Sequence, residues 1–417
     1  MIIECEVKNM SDFSKEIANR IRREDIINLT LDLVKIRSET GTEQQVQMLY
    51  ADYLEKAGME LFVQPVDVTG RSNIIGKISG SGKGRSLMIQ GHLDTISGSN
   101  CIQPYFNKEE NRVYGRGSCD CKGQCALAAV AGKAIVESGV KLGGDLYIVG
   151  AVGEEGGPRM PDGNRWKIGA QTTVEKGFPA VNAIVVLEAH PPLGLAVTNK
   201  GSMSFEFSII GADRQLHSVV APLNRNPLFW QAEVIAALGR LNQEFSKMKH
   251  PYTTPPFIQL SAITYPEHSG VPMSCTIRGG IRVNPGDTKN IVEKFEALLK
   301  QLRSQVPLEI NMTVGGEPLF WEVSPSEPVV RSFEKAFKEV VGKDILVGGG
   351  DFNADSRWFS KGTTEWHNKY NPKGITTIAF GPEEYSLHSN LEYIDVDQQV
   401  TSAKVLALAA LDYCGTL

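Results

Sequence analysis

Apolar residues in this chain gather in two ways, along helical stretches and in short unbroken runs. Residues near 23–38 and 43–57 read as amphipathic helices. Thr42 with Gln45 makes a capping-box pattern at the head of the second, and Gly58 stands where that helix would stop. The runs Asn73–Ile78, Ser86–Gln90, Asp145–Val152 and Ala183–Leu187 are short and flanked by glycine, which predicts buried strands. Between the second and third of these, the Ala-rich stretch Lys122–Glu137 predicts a helix ending before Gly139. Strands alternating with helices predict an α/β sheet.

After Gly201 the rhythm changes. Ser202–Ile210 reads as a strand, Asn226–Leu241 as a helix, Phe257–Thr264 and Cys275–Val283 as strands, Asp287–Arg303 as a helix and Leu308–Val314 as a strand. That βαββαβ order is the ferredoxin-like unit. Gly315-Gly316-Glu317-Pro318 breaks it, and α/β texture returns with helices near 328–341 and 396–413 and a strand at Ile375–Phe380. The expected architecture is an α/β domain of residues 1–201 and 315–417, interrupted by an α+β domain of residues 202–314.

Charge narrows the possible partners. There are 43 Lys+Arg against 48 Asp+Glu, a net charge of −5, with no long block of either sign. This argues against a nucleic-acid stripe or a polybasic membrane patch, and leaves a small-molecule substrate as the expected partner. No apolar run approaches the ~18 residues of a spanning helix. Met1-Ile2-Ile3-Glu4-Cys5-Glu6 carries acids where a secretory leader needs a basic start and an apolar core. Seven thinly spread cysteines form no disulfide framework, so reduced thiols and a cytoplasmic location are expected.

Candidate chemistry sits where the predicted strands end, the rim at which ligands gather in open α/β sheets. Ser86–Gln90 runs into Gly91-His92-Leu93-Asp94, Asp145–Val152 into Gly153-Glu154-Glu155-Gly156, and Ala183–Leu187 into Glu188. Ile375–Phe380 leads to a loop carrying His388, and Asp120 precedes the Lys122–Glu137 helix. Two imidazoles with several carboxylates suit Zn²⁺, or Co²⁺ or Mn²⁺. In His92-x-Asp94 an extended backbone points both side chains to one face, so Asp94 would accept the free ring N–H of a metal-bound His92. Glu154 and Glu155 are neighbours: one can ligate while the other takes a proton from the attacking water. Glu188 directly follows four apolar residues, and a carboxylate against a core strand is costly unless paired or ligating.

Gly91-His92-Leu93-Asp94-Thr95, Gly115-Arg116-Gly117-Ser118-Cys119-Asp120-Cys121-Lys122-Gly123, Glu154-Glu155-Gly156-Gly157 and Glu188 resemble, in order, the motifs of the M20 metallopeptidase and amidohydrolase family. That family includes acetylornithine deacetylase, succinyl-diaminopimelate desuccinylase, glutamate carboxypeptidases and carnosinase-like dipeptidases. The likeness continues through Thr198-Asn199-Lys200-Gly201, Arg282, Gly348-Gly349-Gly350, Asp355-Ser356-Arg357 and Gly381-Pro382 ahead of His388, and so spans nearly the whole chain.

The resemblance implies a mixed-sheet metallohydrolase catalytic domain with two divalent metal ions, interrupted by a ferredoxin-like lid that also forms homodimers. Asp120 would bridge the ions, Glu155 and His388 would complete one site, and His92 and Glu188 the other. Glu154 would act as general base and then acid, Asp94 would orient His92, and a cis peptide would follow Asp120. His217 would reach the partner subunit's site and polarise the scissile carbonyl, while Arg282 with Gly349 and Gly350 would hold a substrate carboxylate. The implied reaction is hydrolysis of an amide in an N-acyl amino acid or short peptide. Deamination of an aromatic amine at the same centre, or a non-catalytic metal-binding relative, are the alternatives.

Some residues depart from the motifs. Cys121 stands where Met is usual and Gln124 where a second Gly is usual; no asparagine occurs in Gln259–Val271; and Pro158–Lys176 is long. Cys119, Cys121 and Cys125 read as small packing residues, with a soft-metal site the alternative. His190 reads as part of a loop wall. His250, His268 and His367 read as loop histidines, and Trp358 and Trp366 as packing residues.

Overall fold

The computed structural model describes residues 10–156, 160, 163–188, 194–211, 217, 219, 223–266, 270–316, 318–362, 364–383 and 386–417. These form two compact units. The first holds the described residues up to Val197 together with Val323–Gly348 and Ala354–Leu417; the second holds Thr198–Glu322 and Gly349–Asn353. The second unit therefore starts before and ends beyond the 202–314 read from the sequence, and takes in a short later segment as well.

The large sheet has eight strands in the order Glu60–Pro65, Ser72–Ile78, Leu146–Ala151, Leu87–His92, Ala183–Leu187, Thr376–Gly381, Gly194–Asn199, Leu346–Gly350. The four strands from Leu146–Ala151 to Thr376–Gly381 run parallel, and antiparallel pairs flank them, so the sheet is mixed. Every residue of Leu87–His92, Leu146–Ala151 and Ala183–Leu187 is buried, as expected for parallel strands covered on both faces. Helix Lys122–Ser138 is buried along most of its length and packs against helices Arg23–Lys35 and Val396–Cys414. It stops at Gly139, in the left-handed conformation at φ 72°.

Helices Arg23–Lys35, Gln44–Lys56, Pro328–Val341 and Val396–Cys414 lie where the apolar pattern predicts them. Helix Met10–Arg20 and strands Glu60–Pro65, Gly194–Asn199 and Leu346–Gly350 are additions. The last reads Leu-Val-Gly-Gly-Gly, with no alternation to mark it. The capping box at Thr42 and Gln45 does not form. Glu43 caps helix Gln44–Lys56 without a side-chain bond, and the Thr42 hydroxyl donates to the Glu39 carbonyl. The Glu43 carboxylate is instead drawn inward to the buried guanidinium of Arg71 and the amide of Gly41. Gly58 does end the helix, at φ 82°.

A small sheet pairs Tyr393–Asp395 with Arg112–Tyr114, and the latter with Tyr105–Asn107, all antiparallel. In the second unit, strands Phe257–Thr264, Ser274–Val283, Gly201–Ile210 and Glu309–Gly315 form an antiparallel sheet in that order. With helices Pro227–Phe245 and Thr288–Gln305 this is the ferredoxin-like topology. Along Gly201–Ile210 buried residues alternate with more exposed ones, so one face packs on the helices.

Candidate metal centre

Strand Leu87–His92 leaves His92 at its carboxyl end, buried. Its Nε2 lies 2.9 Å from Oδ1 of Asp120. The other carboxylate oxygen of Asp120 faces a second imidazole, with His388 Nε2 at 3.1 Å. The same nitrogen lies 3.2 Å from Glu155 Oε1. Potential ligand atoms of His92, Asp120 and Glu155 all fall within 4.8 Å of one another. The peptide between Asp120 and Cys121 is cis, as the resemblance implies. His388 adopts a left-handed φ of 61°, uncommon for a residue with a side chain.

Asp94 is fully buried and does more than the sequence reading assigns it. The nearest partner of His92 Nδ1 is the backbone carbonyl of Asp94, at 2.9 Å, while its carboxylate Oδ1 stands at 3.5 Å. Backbone and carboxylate together hold the ring. The carboxylate is mainly occupied elsewhere: Oδ1 accepts from the Glu154 amide, and Oδ2 from the Glu155 amide and the Thr40 hydroxyl. Asp94 thus fixes the turn that presents the glutamate pair. Gly153 ahead of that turn has φ 78°, and a Cβ there would lie 2.6 Å from Arg71 Nη2, so only glycine fits.

Charge in the centre is unbalanced toward the negative. Burial opposes the Asp120 charge, yet the imidazoles of His388 and His92 hold its carboxyl below the usual range. The same contact with Asp120, then that with Glu155, pushes His388 up to about 10. Glu188 is buried at the end of Ala183–Leu187, and its carboxylate has no hydrogen-bond or ion-pair partner among the described residues. Burial, then the nearby charge of Asp120, drives it well above the ordinary carboxylate range. A buried carboxylate without a donor beside a shared carboxylate is a donor set that cations would satisfy. Burial also raises Glu154, to about 8, with Arg357 Nη1 at 3.4 Å from its Oε1 opposing the shift. Asp355, held by Gln90 at 2.9 Å, is pushed by burial to about 6.

The sequence gives Thr40 and Glu392 no place in the site, and gives Arg357, within the Asp355-Ser356-Arg357 motif, no role there. Their signal is three-dimensional: Thr40 meets Asp94 across 54 positions, and Glu392 meets the Asp120 loop across more than 270. The three thiols behave as packing residues. Cys119 points at Glu392, Cys121 at the Leu187 carbonyl and Cys125 at the His92 carbonyl. His367 is buried, bonded to Thr364 and to the Arg357 carbonyl, and Trp358 stacks on it. Trp366 donates to Glu175. His190 and His268 lie outside the described residues.

In the second unit, His217 is exposed and its Nδ1 accepts from the Val219 amide. His250 pairs with Glu322 at 2.9 Å. Arg282 is half-buried and lies 3.0 Å from the side-chain oxygen of Asn353 once that amide is oriented to satisfy both of its atoms. A Cβ on Gly349 would stand 2.6 Å from both Thr198 and Thr253, and one on Gly350 would strike the Phe352 ring. Lys200, buried, reaches Asp351 at 2.9 Å.

The family model for peptidase family M20/M25/M40 matches residues 88–412, and the chain belongs to that family. It is therefore an enzyme of the metallopeptidase and amidohydrolase class. It is similar to a succinyl-diaminopimelate desuccinylase of Pseudoalteromonas atlantica, 23% identical, with 91% of this chain and 96% of the relative covered. In fold it is similar to aminopeptidase PepT from Bacillus cereus, with a TM-score of 0.71, 15% identity, and 95% and 100% of the two chains covered. It is also similar to the Bacillus subtilis YXEP protein, described as a dinuclear metal binding peptidase of family M20, with a TM-score of 0.64, 15% identity, and 96% and 100% covered. Among the described residues no helix is long and apolar enough to cross a membrane.

Proposed function

We propose that the chain is a dinuclear metal-dependent hydrolase of an amide C–N bond in a small N-acyl amino acid or short peptide. The observation that carries this reading is the shared carboxylate of Asp120, whose two oxygens face two different imidazoles. In this assignment His92, Asp120, Glu155, Glu188 and His388 would hold two divalent ions, with Asp120 shared between them, His388 and Glu155 completing one site and His92 and Glu188 the other. Zinc is the expected metal, with cobalt or manganese able to substitute, because the set mixes imidazole and carboxylate. When bound, the ions supply Lewis acidity at the reacting carbonyl and water.

The remaining work falls to the protein. Glu154, its amide anchored on Asp94 and its carboxylate beside Arg357, takes the proton of the attacking water and passes it to the departing nitrogen. Arg282, with Gly349 and Gly350, holds a substrate carboxylate. The second unit is a lid and dimerisation domain whose His217 polarises the scissile carbonyl in the partner's site. The desuccinylase relative supports an N-acyl amino acid as substrate class. Metal-stripped protein assayed on N-acyl amino acids and dipeptides, with Zn²⁺, Co²⁺ or Mn²⁺ returned, should release acid and amine in equal amounts. Ammonia release without those products would shift the reading to deamination. Absence of turnover with two ions bound would defeat it.

A further inference from the structure

Glu392 is a carboxylate with no exposed side-chain surface, and it is not among the proposed metal ligands. Antiparallel pairing of Tyr393–Asp395 with Arg112–Tyr114 brings it opposite Gly115, whose amide donates to the Glu392 carbonyl at 2.9 Å. Gly115 opens the loop that ends in Asp120. Within that loop a single oxygen, Glu392 Oε1, accepts from the amides of Gly117 at 2.9 Å, Cys119 at 3.3 Å and Asp120 at 3.2 Å. The other oxygen accepts from Arg116 Nη1 at 2.6 Å. Arg116 Nη2 in turn donates to the backbone carbonyl of His388 at 3.3 Å.

We infer that Glu392 is a positioning residue that sets the Asp120 carboxylate and, through Arg116, locks the His388 loop to it. The chemistry of the contacts is specific. Three converging amides form a concave donor set that an anionic oxygen satisfies, and charge-assisted bonds of this kind are short and directional. His388 has an uncommon left-handed backbone, and the bond to its carbonyl holds that conformation. One side chain therefore determines both the loop that carries the shared carboxylate and the loop that carries one imidazole facing it. The inference rests on the proposed role of Asp120 in the metal centre.

Glu392→Gln preserves shape but has one oxygen, so either the amides or Arg116 lose their acceptor, and the new NH₂ faces a donor. Zn²⁺ is titrated calorimetrically into the metal-stripped full chain, alongside kcat, KM and thermal unfolding. Weakening of Zn²⁺ binding by about 10–100-fold is expected, as for other residues that orient ligands, with kcat lowered and KM nearly unchanged. Wild-type Zn²⁺ affinity in folded Glu392→Gln overturns the inference. If that variant does not fold, Arg116→Gln decides. It keeps one carboxylate oxygen on its three amides but removes both the ion pair to the other oxygen and the tie to the His388 carbonyl. Weakened Zn²⁺ binding in the folded protein is therefore expected, with some loss of stability from the unpaired buried carboxylate. Wild-type affinity there overturns the inference equally. Asp120→Asn separates the two claims. If it binds two Zn²⁺ like wild type, the metal-centre reading itself fails; if it loses Zn²⁺ while the other variants do not, only the positioning inference fails.

Discussion

Asp94 and Glu154 divide labour between neighbouring carboxylates by burial and hydrogen bonding. Asp94 accepts from two backbone amides and a hydroxyl, which stabilises its charge; Glu154 lies in the same buried region without such donors to its carboxylate. Glu154→Gln should retain both metal ions and lower kcat by about 10²–10⁴-fold, the usual worth of a positioned acid–base group. Undiminished kcat in the metal-loaded variant would move the base elsewhere. Arg282→Lys should act differently, raising KM for substrates bearing a carboxylate, because the ammonium cannot reproduce a bidentate fork. Equal discrimination between acid and amide analogues by variant and wild type would place the anion site elsewhere. His92, Asp120, Glu154, Glu155 and Glu188 stand out in the sequence because each lies at or just past a predicted strand end or just before a predicted helix, whereas His388, in a loop beyond Ile375–Phe380, is marked by the family motif. Thr40 and Glu392 are not marked at all, and the motif residue Arg357 is given no role, since these contacts exist only through partners distant in sequence.

At the level of elements, the buried ion pair of Arg71 and Glu43 joins the start of helix Gln44–Lys56 to strand Ser72–Ile78. Arg71 also bonds Asp67 and the Lys167 carbonyl, and its guanidinium stacks on Trp166 at 5.0 Å. This explains part of the long stretch after the glutamate pair: Trp166 lies over Arg71 and fits closely against Gly41. Arg71→Met leaves the Glu43 charge buried and unpaired, and should lower unfolding stability by about 3–5 kcal/mol, read by urea denaturation. A change below about 1 kcal/mol, the scale of exposed pairs, would show that the cluster contributes little. The capping box failed for the same reason. Local pattern favoured a bond at Thr42, but a buried arginine from another element drew in the glutamate beside it.

For the whole molecule, metal and assembly are the properties to measure. Chelation should abolish turnover and lower the unfolding midpoint, because ligands that bind only the folded state stabilise it by mass action. An unchanged midpoint after complete metal removal would mean the ions contribute nothing to folding. Light scattering should find a homodimer or higher homo-oligomer at assay concentration, assembled through the second unit. A fully active monomer would exclude His217 from catalysis across subunits.

The periodicity of the sequence by itself determined the alternation of helices with buried strands, the switch to a βαββαβ unit and the rim positions of the acids and imidazoles. Those features follow from spacing along one chain segment. Tertiary structure alone decided which carboxylate oxygen faces which imidazole, that Asp94 anchors the turn before Glu155, and that Glu392 holds the Asp120 loop. Each of these depends on strands and loops far apart in sequence meeting in a buried space, where every unpaired donor or charge is penalised and so selects its partner.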